Sequence, residues 1–172
     1  MISPRITSLE VVPVAGHDSM LLTLSGAHAP LFTRNIIILH DDAGHEGIGE
    51  IHGGDAISKM LESYQDIVVG QALVNYRKIL MDVRENGWRP NNNSGQGLQQ
   101  LDLKNLKFVV HAEAALECAL LDIYGKFVNL AMCYIIVQGR QRDSVEMLGY
   151  LFYIADSAKT HLPYVQNDDD SD

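Results

Sequence analysis

The feature that most constrains the fold is a change in hydrophobic periodicity at Gly53 and Gly54. Before these glycines, apolar residues come in short β-branched runs or alternate with polar residues, a pattern typical of β-strands. After them, and up to residue 128, three segments have apolar residues at every third or fourth position, a pattern typical of amphipathic helices. The order of these patterns predicts an α+β fold, with a small sheet first and a bundle of helices after it.

Three strands are predicted before the glycines, at residues 6–14, 35–40 and 47–51. Residues 41–44 read Asp-Asp-Ala-Gly, which is the composition of a tight turn, so the second and third strands form a hairpin. A long excursion separates the first strand from this hairpin. Together these elements predict a three-stranded antiparallel meander.

Three helices are predicted after the glycines. Asp55 can cap a first helix that ends near Gln65, a second helix covers residues 73–83, and a third covers residues 105–128. The third helix carries small residues that would let a neighbouring helix pack closely: Ala112, Ala114, Ala115 and Ala119. Three of its polar residues are interpreted as partly exposed or internally paired rather than catalytic: His111, Glu117 and Asp122.

The last part of the chain is predicted to contain a short apolar helix or strand at residues 130–137 and a polar connector at residues 139–143. Residues 145–154, VEMLGYLFYI, have the composition of a buried strand. The meander is already complete, so this strand has no evident partner. We interpret it as the entry to a second domain.

Charge and cysteine content exclude several classes of function. The chain has 172 residues, enough for one domain with a substantial core, and its net charge of -9 argues against nucleic acid or an anionic membrane as a partner. No apolar run approaches the roughly 20 residues of a membrane-spanning helix. Residues 1–5 lack the apolar stretch of a signal peptide, so a cytoplasmic location is expected.

Cys118 and Cys133 fit neither a disulfide framework nor a zinc site. The aspartates of residues 168–172 are interpreted as solvated.

The excursion over residues 13–34 is the first candidate for a functional site. It contains His17 and His28, a short apolar arm at residues 20–24, and residues that favour turns: Gly16, Asp18, Ser19, Ser25, Gly26 and Pro30. Long loops in compact domains often carry function. His17 is interpreted as part of a turn that shapes the loop. A second long loop, rich in Asn and Gly, covers residues 86–97.

Several segments match a known family in residue type and in order. They are residues 14–20 (VAGHDSM), 25–30 (SGAHAP), 32–35 (FTRN), 47–51 (GIGEI), 53–54 (GG), 97–99 (GLQ), 113–122 and 145–152 (VEMLGYLF). On these segments, which cover essentially the whole chain, the sequence resembles the glucarate dehydratases of the enolase superfamily. The first segments are the most specific because they combine uncommon residue types in a fixed order.

The resemblance implies that residues 1–140 form the family's N-terminal capping domain and that residues 141–172 begin a (β/α) barrel. It also implies a Mg²⁺-dependent dehydration, in which the proton next to a carboxylate is abstracted and the β-hydroxyl leaves as water, so that an acid sugar such as D-glucarate becomes a keto-deoxy acid. In that family the base, the metal ligands and a His-Asp dyad belong to the barrel. No catalytic or metal-binding residue is therefore expected in this chain, which alone is expected to be inactive.

The resemblance further implies which residues bind substrate. His28 matches a histidine of the capping loop, and Tyr150 matches a tyrosine at the start of the barrel; imidazole and phenol both donate hydrogen bonds to carboxylates and hydroxyls. Thr23 stands where the family usually has Asn, and Gln100 stands where the second loop usually has Thr. His52 replaces a usual Pro.

Two hypotheses follow from this resemblance. In the first, the chain is the capping portion of an acid-sugar dehydratase, and it forms a homo-oligomer or associates with a barrel-containing subunit. In the second, the departures at Thr23, Gln100 and His52 mark a non-catalytic paralogue or fragment that binds or modulates a true dehydratase.

Overall fold

The computed structural model describes residues 3–17, 22–24, 27–28, 31–87, 103–137, 139–149 and 153–154. The strands, in chain order, are β1 (Ile6–His17), β2 (Leu22–Leu24), β3 (Ala27–His28), β4 (Leu31–Asp41), β5 (Glu46–His52) and β6 (Tyr153–Ile154). The helices are α1 (Asp55–Glu62), α2 (Gln65–Val68), α3 (Tyr76–Gly87), α4 (Leu103–Val128) and α5 (Met132–Ile136), with a 3₁₀ turn at Leu73–Asn75.

The chain divides into two compact units. The larger unit comprises residues 1–14 and 34–141, and the smaller unit comprises residues 15–33 and 142–172. The assignment of residues 1–140 to a cap and residues 141–172 to a barrel stays a prediction.

The larger unit is built on a three-stranded antiparallel sheet in the order β1-β4-β5, followed by helices, as the sequence predicts. Ile37 of β4 lies opposite Gly49 of β5, and Leu39 lies opposite Gly47. Alternate residues of β4 are buried, as expected for a strand with one face against a core. The core is formed by these residues together with apolar residues of β1 and the helices: Ile6, Leu9, Ile57, Leu61, Val68, Leu73, Ile79, Val83, Leu116, Leu120 and Ile123.

The turn between β4 and β5 is held by a buried carboxylate. Asp41 accepts hydrogen bonds from the backbone N–H of Ala43 at 2.9 Å and of His45 at 2.8 Å, and its second oxygen lies 2.8 Å from Nδ1 of His45. Gly44 adopts a φ of 89°, which a glycine accepts without strain. The predicted hairpin is confirmed, and Asp41 is the residue that fixes its turn.

Glycines allow α4 to lie directly on β5. A Cβ added to Gly47 would lie 2.6 Å from Cβ of Ile123, and one added to Gly49 would collide with the carbonyl oxygen of Ala115. The small residues of α4 were expected to accommodate a neighbouring helix, but the close neighbour at Ala115 and Ala119 is a strand. Strand glycines often mark such close approach of another backbone.

The first helix differs from its prediction at both ends. Gly54 occupies the N-cap position with a φ of 124°, and Asp55, expected to be the cap, is the first helical residue. No side chain caps this helix, although Asp55 still places a negative charge in its first turn. The helix ends at Glu62, and Gln65 begins the separate helix α2.

The prediction of a buried strand over residues 145–154 is wrong for its first half. Residues 145–149 have no regular structure and are exposed, with relative exposures of 70% for Val145, 92% for Met147 and 73% for Leu148. Only Tyr153 and Ile154 form a strand, and this strand has a partner in β2. Apolar composition indicated a strand, but burial requires a covering neighbour, which the described residues do not supply.

The smaller unit contains a three-stranded sheet in the order β3-β2-β6. Both strand pairs are antiparallel. The excursion therefore contains a short hairpin in place of the expected loop, arm and loop. Among the described residues, no helix is long and apolar enough to cross a membrane.

Candidate functional site

The strand β2 brings two of the expected substrate residues into register. Thr23 is the direct partner of His28 in β3, and Leu24 is the partner of Ala27. Positions paired across an antiparallel ladder belong to the same face of the sheet, and their Cβ atoms are typically about 5 Å apart. A hydroxyl-bearing residue and an imidazole-bearing residue therefore occupy neighbouring positions in the smaller unit.

A third residue joins this row from the far end of the chain. Tyr153 of β6 pairs with Thr23 on the side opposite His28. Tyr153 was not predicted as a site residue, because strand pairing between residues so distant leaves no local signal. Two other expected substrate residues, Gln100 and Tyr150, lie outside the described residues, so their roles stay predictions.

The polar residues of α4 serve the packing of the larger unit. Asp122 accepts a hydrogen bond from the backbone N–H of Ile48 at 2.9 Å and one from Nζ of Lys126 at 2.8 Å. Lys126 also donates to the carbonyl of Glu46 at 2.7 Å. Asp122 is thus a paired carboxylate that fastens α4 to β5, as interpreted from the sequence. Glu117 is exposed.

A second polar residue of α4, Glu113, is buried and forms an ion pair. The carboxylate of Glu113 in α4 is buried, and Nε of Arg84 in α3 lies 3.0 Å from each of its oxygens. The nearby hydroxyl of Tyr64 is buried and has no hydrogen-bond partner among the described residues. Burial, and then the negative charge of Glu113, raise the pKa of Tyr64 to about 12. The phenol therefore stays neutral at physiological pH.

His52 and His111 form an aromatic contact in the larger unit. Their ring centroids lie 4.5 Å apart in an edge-to-face arrangement, and Nδ1 of His52 lies 3.1 Å from the carbonyl oxygen of Gly53. A carbonyl accepts only, so this contact places the proton of His52 on Nδ1. His52, which departs from the family pattern, therefore packs against α4.

The described part of the larger unit shows an open cavity and no metal-binding cluster. An open cavity of about 280 Å³ lies where α4 meets α5, and it is lined by Asp122, Lys126, Asn129 and their neighbours rather than by the expected substrate residues. Within the described segments, no group of three or more His, Cys, Asp or Glu residues could hold a metal ion. We therefore assign no described residue to Mg²⁺.

Comparison with known proteins connects this fold to a superfamily. No protein-family model matches the sequence. The sequence is 27% identical to a probable glucarate dehydratase from Streptomyces coelicolor over 155 residues, which are 86% of this chain and 35% of that protein. The structure matches an enolase from Pseudomonas fluorescens, solved with magnesium, potassium and tartrate, with a TM-score of 0.73, 28% identity, and coverage of 90% of this chain and 36% of that one. The chain is therefore similar in sequence and in fold to enzymes of the enolase superfamily.

A second enolase, from Thermobispora bispora and solved with magnesium and formate, gives a TM-score of 0.71 at 29% identity, covering 88% of this chain and 36% of its own. The sheet followed by helices matches the N-terminal capping domain of the enolase superfamily. The chain spans about a third of the length of the relatives that it matches.

Proposed function

We propose that this chain is the specificity cap of an acid-sugar dehydratase that converts D-glucarate to a keto-deoxy acid in a Mg²⁺-dependent reaction. Residues 1–140 would form the cap and residues 141–172 would enter a barrel domain. That barrel would carry the catalytic residues and the metal ligands, whether in one polypeptide or in an associated subunit. The cap selects the substrate by binding its distal carboxylate and hydroxyls.

The observation that carries this proposal is the register pair of Thr23 and His28. A polyhydroxylated dicarboxylate needs several directed hydrogen-bond donors, and an imidazole and a hydroxyl at neighbouring positions of one sheet face would supply two of them. Tartrate, bound in the Pseudomonas enolase, is itself a hydroxylated dicarboxylate. The similarity to a probable glucarate dehydratase supports D-glucarate as the first substrate to test.

The test is an assay for keto-acid formation with the native protein purified from its host. We expect product from D-glucarate, loss of product after chelation, and recovery when Mg²⁺ is restored. The His28→Ala variant should lower kcat/KM by about 10- to 100-fold, the usual effect of removing a hydrogen bond to a charged group. His40→Ala is the matched control because His40 pairs with Glu10 in the larger unit and has no proposed role in binding.

Two outcomes would contradict the proposal. One is the absence of any keto product from D-glucarate and related acid sugars in the presence of Mg²⁺. The other is equal activity of the His28→Ala and His40→Ala variants. Turnover by the purified 172-residue chain alone would instead contradict the placement of the catalytic residues in a separate barrel.

A second candidate function is that of a non-catalytic paralogue or fragment that binds or modulates a true dehydratase. It is favoured by the exposed apolar side chains of Val145, Met147 and Leu148, because adjacent exposed apolar residues often mark a surface that binds another protein. Co-purification and mass measurement distinguish this candidate. A partner that is itself a complete and active dehydratase is the expected result, and a chain that remains monomeric and without a partner contradicts this candidate.

A further inference from the structure

The two strands that flank the β2–β3 hairpin meet at a glycine and an aromatic ring. Gly16 lies near the end of β1, and Phe32 is the second residue of β4. A Cβ added to Gly16 would lie 2.5 Å from Cε2 and 2.8 Å from Cε1 of Phe32, and it would also collide with Cζ. The ring of Phe32 therefore occupies the space that a side chain at position 16 would need.

This contact has the form of an aromatic ring covering a strand glycine. β1 is an edge strand of its sheet, and glycine weakens a strand because it has no side chain to pack. An aromatic residue on the neighbouring strand can compensate by covering the bare backbone. Phe32 is 41% exposed.

In the sequence, Phe32 lies close to His28, one of the residues proposed to bind substrate. Residues 29 and 30 alone separate β3, which ends at His28, from β4, which begins at Leu31. The position of Phe32 therefore limits where His28 can lie, and His28 is paired with Thr23. If the ring of Phe32 were displaced, the two-residue connection between β3 and β4 would shift His28 and, with it, its partner Thr23.

We propose that Gly16 and Phe32 are positioning residues of the proposed substrate site: the ring of Phe32 rests on Gly16 and thereby sets the place of the hairpin that carries Thr23 and His28. The proposal rests on the proposed function for the identity of the site. The contact itself involves only residues of the smaller unit, so it can be tested separately from activity.

The first test is hydrogen–deuterium exchange on the 172-residue chain, comparing Gly16→Ala, Phe32→Ala and the double variant. Gly16→Ala should reduce the protection of the β2 amides about tenfold, within the range caused by overpacking, and should leave the amides of β5 and α4 unchanged. In the Phe32→Ala background, adding Gly16→Ala should cause no further loss, because the ring that it strikes is gone. Gly149→Ala is the matched control, since a Cβ there meets nothing within 4 Å.

The second test is the dehydration assay with the same variants of the native protein. Gly16→Ala should raise KM for the acid sugar about tenfold with a smaller change in kcat, and the Phe32→Ala background should abolish this difference. Equal losses from Gly16→Ala in both backgrounds, in either experiment, overturn the proposal. If the exchange result is obtained but no acid sugar is dehydrated, the contact stands and the proposed function fails.

Discussion

Gly49 of β5 lies so close to Ala115 of α4 that a single methyl group on the glycine would strike the carbonyl oxygen of the alanine. The obstacle is a helix backbone, which cannot rotate away as a side chain would. The packing of the longest helix on the sheet therefore depends on the absence of a side chain at this position.

Gly49→Ala should accordingly destabilise the larger unit. We expect a loss of about 3 kcal/mol in the free energy of unfolding, at the upper end of the range for overpacked cores, measured by urea denaturation. Gly149→Ala, where a Cβ has open space, should change stability by less than about 0.5 kcal/mol. Similar unfolding midpoints for the two variants would show that α4 is not held as closely as described.

The pair of Arg84 and Glu113 gives a second prediction. Arg84→Met leaves the buried carboxylate of Glu113 without the guanidinium that bonds to both its oxygens, so the urea midpoint should fall. Removing both charges with Arg84→Met and Glu113→Met should restore much of the loss, because no charge then remains buried without a partner. A double variant that is less stable than Arg84→Met would argue that Glu113 has other partners.

Tyr64 gives a prediction for alkaline pH. Its pKa is about 12 in the folded protein, against an ordinary value of 10.0, so the unfolded chain loses this proton first as the pH rises. The contribution of Tyr64 to stability is therefore complete below pH 10 and is lost between pH 10 and 12. This shift corresponds to roughly 3 kcal/mol.

The measurement is the difference in unfolding free energy between the wild-type chain and Tyr64→Phe at each pH, which cancels the titration of the other tyrosines. The variant should lack this part of the alkaline loss. Near pH 7 it should differ from wild type by no more than about 1 kcal/mol, because the hydroxyl that it removes has no hydrogen-bond partner among the described residues. Parallel pH profiles for the two proteins would contradict the assignment.

Cys118 gives a prediction for chemical reactivity. Partial burial, and then the neighbouring charge of Glu117, raise the pKa of the Cys118 thiol, so less thiolate is present near neutral pH. Glu117→Gln should speed alkylation of Cys118 by iodoacetamide by about two- to threefold at pH 8. Mass spectrometry of the Cys118 peptide gives the rate, and an unchanged or slower rate would exclude Glu117 as a cause.

Much of the larger unit could be predicted because its signals are local. The alternation of β4, the turn at residues 41–44 and the helical spacing of α3 and α4 each depend on neighbours a few residues away. The limits of β1 and β4 could not be predicted, since both strands extend into a segment rich in turn-forming residues. Pairing with each other stabilises residues that would be loop in isolation.

Less of the candidate site could be predicted from the sequence. The resemblance selected Thr23 and His28, but their register depends on the turn between β2 and β3, which composition alone does not fix. Tyr153 and the Gly16–Phe32 contact depend on which strands become neighbours. Such relations are long-range, so no window of sequence contains them.

The pairing of β2 with β6 also sets an order of events during synthesis. Almost all of the larger unit is synthesised after Leu22 and before its partner Ile154. Contacts this distant in sequence form slowly, because a long loop must close before they contribute. The nascent hairpin therefore presents an open strand edge until β6 has been made, and a chaperone or a second nascent chain would meet that edge before β6 does.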